Sequence, residues 1–183
     1  MTTSAGQVPA ALRALLENGS LAGDWALDPA RSTATLRSKH MWGLAPVKGV
    51  FRSIEGDGTV SPAGEVTGQI ALATGALDTK NKKRDAHLRS ADFFETEKYP
   101  AITFTLDKLV PADEGVTVSG HLTVRDQSGP ISFSATVALA GDGEVALDAT
   151  VLVDRSEFGV TINKVGMLSM KNTVAVHAVF TKR

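Results

Sequence analysis

From Trp25 onward the chain alternates apolar and polar residues with period two, the pattern of strands buried on one face. Glu65 to Ala73 sets Val66, Ile70 and Leu72 against Thr67 and Gln69. Ile102, Phe104 and Leu106 oppose Thr103, Thr105 and Asp107, and Val116, Val118, Leu122 and Val124 oppose Thr117, Ser119, His121 and Thr123. The rule continues with Ile131, Phe133, Val137 and Leu139, and again with Val145, Leu147, Val151 and Val153. Ser32 to Lys39 and a long Val47 to Val60, punctuated by Gly49, Gly56 and Gly58, precede these strands. Thr173 to Thr181 ends the series with Val174, Val176 and Phe180 inward. Turn residues separate the runs at 61–64, 111–115, 126–130 and 141–143.

The pattern predicts about eight antiparallel strands, an all-β domain that is either a sandwich or a barrel. An eight-stranded barrel is just wide enough to be filled by side chains or to hold one small ligand. The inward set is rich in Val, Ala and Gly, so the interior is either hollow or a collapsed core, and composition alone leaves both open.

Two stretches break the period. Val8 to Asn18, VPAALRALLEN, reads as a helix started by Pro9 and stopped by Gly19, with Leu12, Leu15 and Leu16 on one face. That face would close one end of the domain or dock a partner, a second copy of the chain in a homodimer included. Residues 1–22 are thus an N-terminal tail and short helix, and 23–183 the β-barrel domain. The second break is DTKNKKRDAHLRSADFFETEKYPAITF, residues 78–104. Lys80, Lys82, Lys83 and Arg84 give it a basic front, and Asp85 precedes Arg89 by four positions, one helical turn. Tyr99-Pro100 then forces an extended backbone. A short charged helical insertion in a β chain reads as a cap or rim over what the strands enclose.

Composition narrows the function classes. The net charge of −1 provides no global basic field for nucleic acid. The chain has no cysteine, which removes disulfides, zinc–thiolate sites and cysteine nucleophiles. No run approaches a membrane span of about 18 apolar residues, and no basic stretch followed by an apolar one marks a secretory signal, so the expected location is cytoplasmic. The four histidines, 40, 87, 121 and 177, form no metal-ligand spacing. No nucleophile elbow and no phosphate-cradling glycine loop is present. No cofactor and no metal is expected.

The words of the insertion resemble the most characteristic motif of the YceI-like family, the lipocalin-like polyisoprenoid-binding proteins. Thr79, Asn81, Arg84, Asp85, His87, Leu88, Arg89, Ser90, Asp92, Phe93, Phe94, Tyr99, Pro100, Ile102 and Phe104 match it. WALDPARSTATLRSKHMWGLAPVKGVF, VSGHLTVRDQSGPISF and DRSEFGV agree as well, so the resemblance covers about residues 23 to 183.

The resemblance implies an eight-stranded antiparallel lipocalin-like barrel around a long apolar tunnel. A polyisoprenoid or other long-chain lipid would lie there with its polar head near the mouth, bound for storage or transport without catalysis. Strand parity then nominates Leu36, Phe51, Ile70, Leu72, Ile102, Phe104, Leu106, Leu122, Phe133, Val137 and Val151 as lining. Phe93, Phe94 and Phe158 are assigned to its ends, and Arg84, His87 and Arg89 to the head group, since Arg suits phosphate geometry. Trp42, in HMWGLAP, stands where relatives often have a smaller residue and would shorten or gate the tunnel, with His40 beside it. The helix at 8–18 lies outside the resemblance. The alternative is a hollow barrel reused as an isomerase or cyclase of a hydrophobic small molecule, with His40 or the Asp85/His87 pair as acid–base groups.

Overall fold

The computed structural model describes residues 7–40, 44–140, 143–163 and 168–183, with the side chains of all of these except 7–9 and 40. The sequence expectation about Trp42 and its neighbour Met41 therefore lies outside the described residues, as does that about the side chain of His40.

Helix α1 (Gln7–Glu17) is followed by β1 (Gly23–Leu27), β2 (Thr33–His40), β3 (Ala45–Phe51), β4 (Ile54–Val60), β5 (Val66–Ala73) and β6 (Leu77–Asp78). Helix α2 (Lys82–Arg89) then precedes β7 (Ala101–Ala112), β8 (Gly115–Val124), β9 (Gln127–Leu139), β10 (Glu144–Asp154) and β11 (Lys171–Lys182). Every pairing is antiparallel. β1, β4, β5, β7, β8, β9, β10 and β11 pair in that order, and β11 pairs back to β1, so eight strands close into a barrel. Closure leaves these strands without a free edge.

The first three long strands are each bent in two. β2 continues β1, β3 leads into β4, and β6 continues β5, and this second row pairs β11–β2–β3–β6. The long strand expected over Val47 to Val60 is thus interrupted at Arg52 and Ser53. Its bend meets the bend of β5/β6, where Arg52 N donates to Ala76 O and Ala73 N to Ser53 O. At the β1/β2 bend the backbone of Val179 would lose its ladder partners. Asp28 N donates to Val179 O, and the buried Ser32 Oγ accepts from Val179 N at 3.0 Å.

Inside the barrel, alternation puts the apolar face inward as parity requires. A bulge between Leu106 and Lys108 shifts the register of β7, so the inward set resumes at Leu109 and not at Lys108. Opposite it, Gly120 leaves room for the Phe104 ring: a Cβ there would lie 2.1 Å from Thr105 O and 2.8 Å from the ring. The core gathers at two ends. One cluster joins Leu12, Leu16, Leu21 and Trp25 to Val60, Val116, Val118, Ala135 and Val137. The other joins Leu27, Ala34, Phe51, Ile54, Leu72, Leu77 and Ala178. No described helix is long and apolar enough to cross a membrane.

Candidate functional site: the barrel cavity and its rim

Between the two clusters the inward side chains do not meet. They leave one cavity of about 980 Å³ that reaches from α1 to α2. Of the parity-nominated lining, Leu36, Phe51, Ile70 and Leu72 contribute from β2, β3 and β5. Ile102, Phe104 and Leu106 contribute from β7, Leu122 from β8, Phe133 and Val137 from β9, and Val151 from β10. Phe104 of β7 and Phe133 of β9 pack together along the wall formed with β8, their centroids 5.5 Å apart.

The α1 end is closed by hydrocarbon. Leu12 and Leu16, 4% and 7% exposed, drop from the helix into the barrel and line the cavity with Leu21 and Trp25. Trp25 is fixed there because its Nε1 donates to Leu21 O at 3.0 Å. Gly19, with φ of 74°, ends the helix in the left-handed region and lets the chain turn into β1. In sequence the helix reads as a cap on one end of the domain, but none of these four residues is nominated there as lining. Its three-leucine face was the available signal.

The α2 end is built from polar bonds. Asn81 caps α2 by accepting Arg84 N at 3.0 Å. Asp85 does not reach Arg89: its buried carboxylate accepts from Thr79 N at 3.0 Å and Thr79 Oγ1 at 2.5 Å. With its proton turned to Asp85, the Thr79 hydroxyl presents a lone pair to Arg84 Nε at 2.7 Å, and Thr79 O accepts from Arg84 Nη2 at 2.8 Å. Arg84 is thereby held at the cavity rim, with Nη1 unbonded by any described residue.

His87 also lines the rim, packs edge-on against Phe93 and bonds Asp92 at 2.7 Å. Asp85 and His87 therefore face different partners. Phe93 and Phe94 line the cavity beneath them. Arg89 points elsewhere, donating to Gly75 O at 3.0 Å, and is not among the lining residues. Phe158 is buried beside the cavity in a small cluster with Val124 and Val160. His121 and His177 are exposed and pair with Asp107 and Asp148, each at 2.7 Å. Among the described residues no group of His, Asp and Glu is placed to hold a metal.

The rim helix is tied to the barrel from the far side. Arg125, at the β8–β9 turn with φ of 57°, pairs with Glu95 at 2.9 Å and donates to the carbonyls of Phe93 and Ala91. Its Nε is the one buried side-chain polar atom without a partner among the described residues. Arg155 likewise donates to the carbonyls of Ser169, Val160 and Ile162, at 3.0, 2.6 and 2.7 Å. No described carboxylate bonds it, and burial pushes the guanidinium down from its ordinary value. Arg155 lines the cavity, and spacing gave no warning of it; only the folded position of the 3-10 turn Arg155–Phe158 shows it.

Comparison with known proteins agrees with this architecture. The YceI-like domain matches residues 25–181, which leaves α1 outside the match. A UPF0312 protein of Vibrio cholerae is 28% identical over 151 residues, covering 77% of this chain and 79% of its own length. Protein YceI of Escherichia coli is 30% identical over 128 residues, 67% of this chain and 66% of that protein. Among solved structures, Burkholderia cenocepacia BcnA has a TM-score of 0.75 at 22% identity and covers 84% of this chain and 98% of its own. A polyisoprenoid binding domain from Saccharophagus degradans, implicated in plant cell wall breakdown, has a TM-score of 0.68 at 18% identity, covering 87% and 98%. These two share the fold. The chain belongs to the YceI-like family.

Proposed function

We propose that this YceI-like chain binds a long-chain isoprenoid-type lipid without catalysing a reaction, and by binding it stores or transports it. The observation that carries the proposal is the cavity of about 980 Å³, walled mainly by apolar side chains, with its basic groups Lys83, Arg84 and Arg155 at the α2 end. The Saccharophagus relative described as a polyisoprenoid binding domain supports the same reading by its shared fold.

Magnitudes favour a long tail. At about 30 Å³ for a water-sized group, such a cavity holds on the order of 30 non-hydrogen atoms. At roughly 0.3 kcal/mol per atom those would yield about 9 kcal/mol, a sub-micromolar affinity. A tail of about 10 carbons would bind only in the millimolar range by the same arithmetic. The tail points to α1, and the polar end of the lipid stays at α2.

Protein purified from cells should release a prenyl lipid into organic solvent, detected by mass spectrometry, and stripped protein should take up added prenyl lipid. An empty extract together with no uptake would refute the proposal.

A further inference from the structure

The chain as a whole carries a charge of −1, yet its cavity rim is one-sided. Lys83, Arg84 and Arg155 line the α2 end, whereas Lys39 is exposed on β2 and opposite in parity to the inward Leu36 and Ser38. The one carboxylate among the described lining residues is Asp57, exposed on β4 and opposite in parity to the inward Val60. The other acids near the rim are turned to protein partners: Asp85 to Thr79, Asp92 to His87, Asp78 to Arg52 and Lys80, and Asp154 to Ser156. No described carboxylate lies within ion-pair distance of Lys83, Arg84 or Arg155. Arg84 is the clearest member. Thr79 fixes one edge of its guanidinium, so the remaining donors are pre-oriented without being used. The N-terminal turn of α2 adds its partial positive charge on the same side, since Asn81 and Lys83 also line the cavity.

We infer that the cavity is built for a phosphorylated prenyl chain, its phosphate held by Arg84 and Lys83 of α2, with Arg155 adding positive potential at the same end. This deepens the lipid-binding reading and rests on it. A neutral head would leave these cations without an anionic partner at the rim. A phosphate accepts from several of them at once and supplies that partner.

The test is calorimetric binding of matched ligands to the stripped full chain at low salt: geranylgeranyl phosphate, geranylgeraniol, geranylgeranyl amine and inorganic phosphate. The phosphate ester should bind at least about tenfold tighter than the alcohol, the difference between charged and neutral hydrogen bonding. The amine should bind weakest, and inorganic phosphate should not saturate at the same concentrations. The preference should narrow in high salt. It should also fall in Lys83→Glu, while Lys108→Glu, on the outer face of β7, makes the same charge reversal away from the rim and keeps it.

Equal or tighter binding of the alcohol overturns this inference and leaves the lipid reading standing. Inorganic phosphate matching the ester overturns it by removing the tail from the recognition. Failure of every prenyl ligand overturns the lipid reading, and this inference with it.

Discussion

The two ends of the barrel are closed by different physics. At α1 the seal is Leu12, Leu16, Leu21 and Trp25, packed into the same cluster as Val60, Val116 and Val137. Burial of this kind is non-directional and is set by area and fit. At α2 the closure is a set of directional bonds: Asn81 to Arg84, Thr79 to Asp85 and Arg84, Arg89 to Gly75, Arg125 to Glu95. Such bonds fix positions and leave charge at the surface. A bound amphiphile would therefore meet a floor that measures its tail and a rim that reads its head. The family match begins at residue 25, so the floor helix lies outside the matched domain.

Removing residues 1–20 breaks the comparison most severely. Two buried leucines go with them, at roughly 2–5 kcal/mol each. Thermal unfolding should shift down accordingly, and the shortened protein should lose its upper limit on tail length. Should it fail to fold, Leu16→Ala asks the same question at about 2–4 kcal/mol. A folded variant with unchanged length preference would show that α1 is not the floor.

Leu122→Arg comes next, placing an unpaired charge in the wall between the ends, where removal from water is opposed by several kcal/mol. Lipid uptake should vanish while circular dichroism still reports a β fold. Full uptake by that folded variant would remove Leu122 from the lining.

Asp85→Ala attacks the rim alone. Thr79 loses its acceptor and Arg84 its positioned hydroxyl, a change of about 1–3 kcal/mol. Hydrogen exchange should quicken in residues 79–94 and stay unaltered in α1. Equal quickening at both ends would mean that the two closures are not independent.

Two small effects sharpen the picture. Arg89→Ala should change stability by less than about 1 kcal/mol, since it removes one exposed bond to Gly75 O, and should leave uptake intact. Asp78 is held well below the usual carboxylate range, chiefly by Arg52 and then by the backbone and side chain of Lys80. Its contribution is present above the unfolded value of about 4 and is lost as pH falls through the folded value. Asp78→Asn should therefore lessen the fall in melting temperature between neutral and strongly acid solution; an unchanged fall would clear this group.

The strands were legible in the sequence because inward residues repeat every second position, as in β8, β9, β10 and β11. The rule misleads where the backbone breaks it. Nothing in TFTLDKLV announces the bulge that turns Lys108 out and Leu109 in. The α2 insertion was legible as a charged rim from its composition. The partner choices within it were not, because helical spacing pairs Asp85 with Arg89 while the barrel wall offers Thr79 first. Phe158, expected at an end of the tunnel, packs with Val124 and Val160 beside the cavity, with Phe93 and Phe94 against it. Arg155 and the α1 leucines went unrecognised as lining because their roles depend on contacts between segments far apart in the chain.

The most direct test of the central claim is a chain-length series: calorimetric affinity of the stripped, full-length protein for prenyl alcohols from about 10 to about 50 carbons. The floor at α1 and the cavity volume require affinity to climb with each added unit and to level off near about 30 carbons. Affinity independent of length, or still rising steeply at about 50 carbons, would contradict a closed apolar chamber that ends at Leu12 and Leu16.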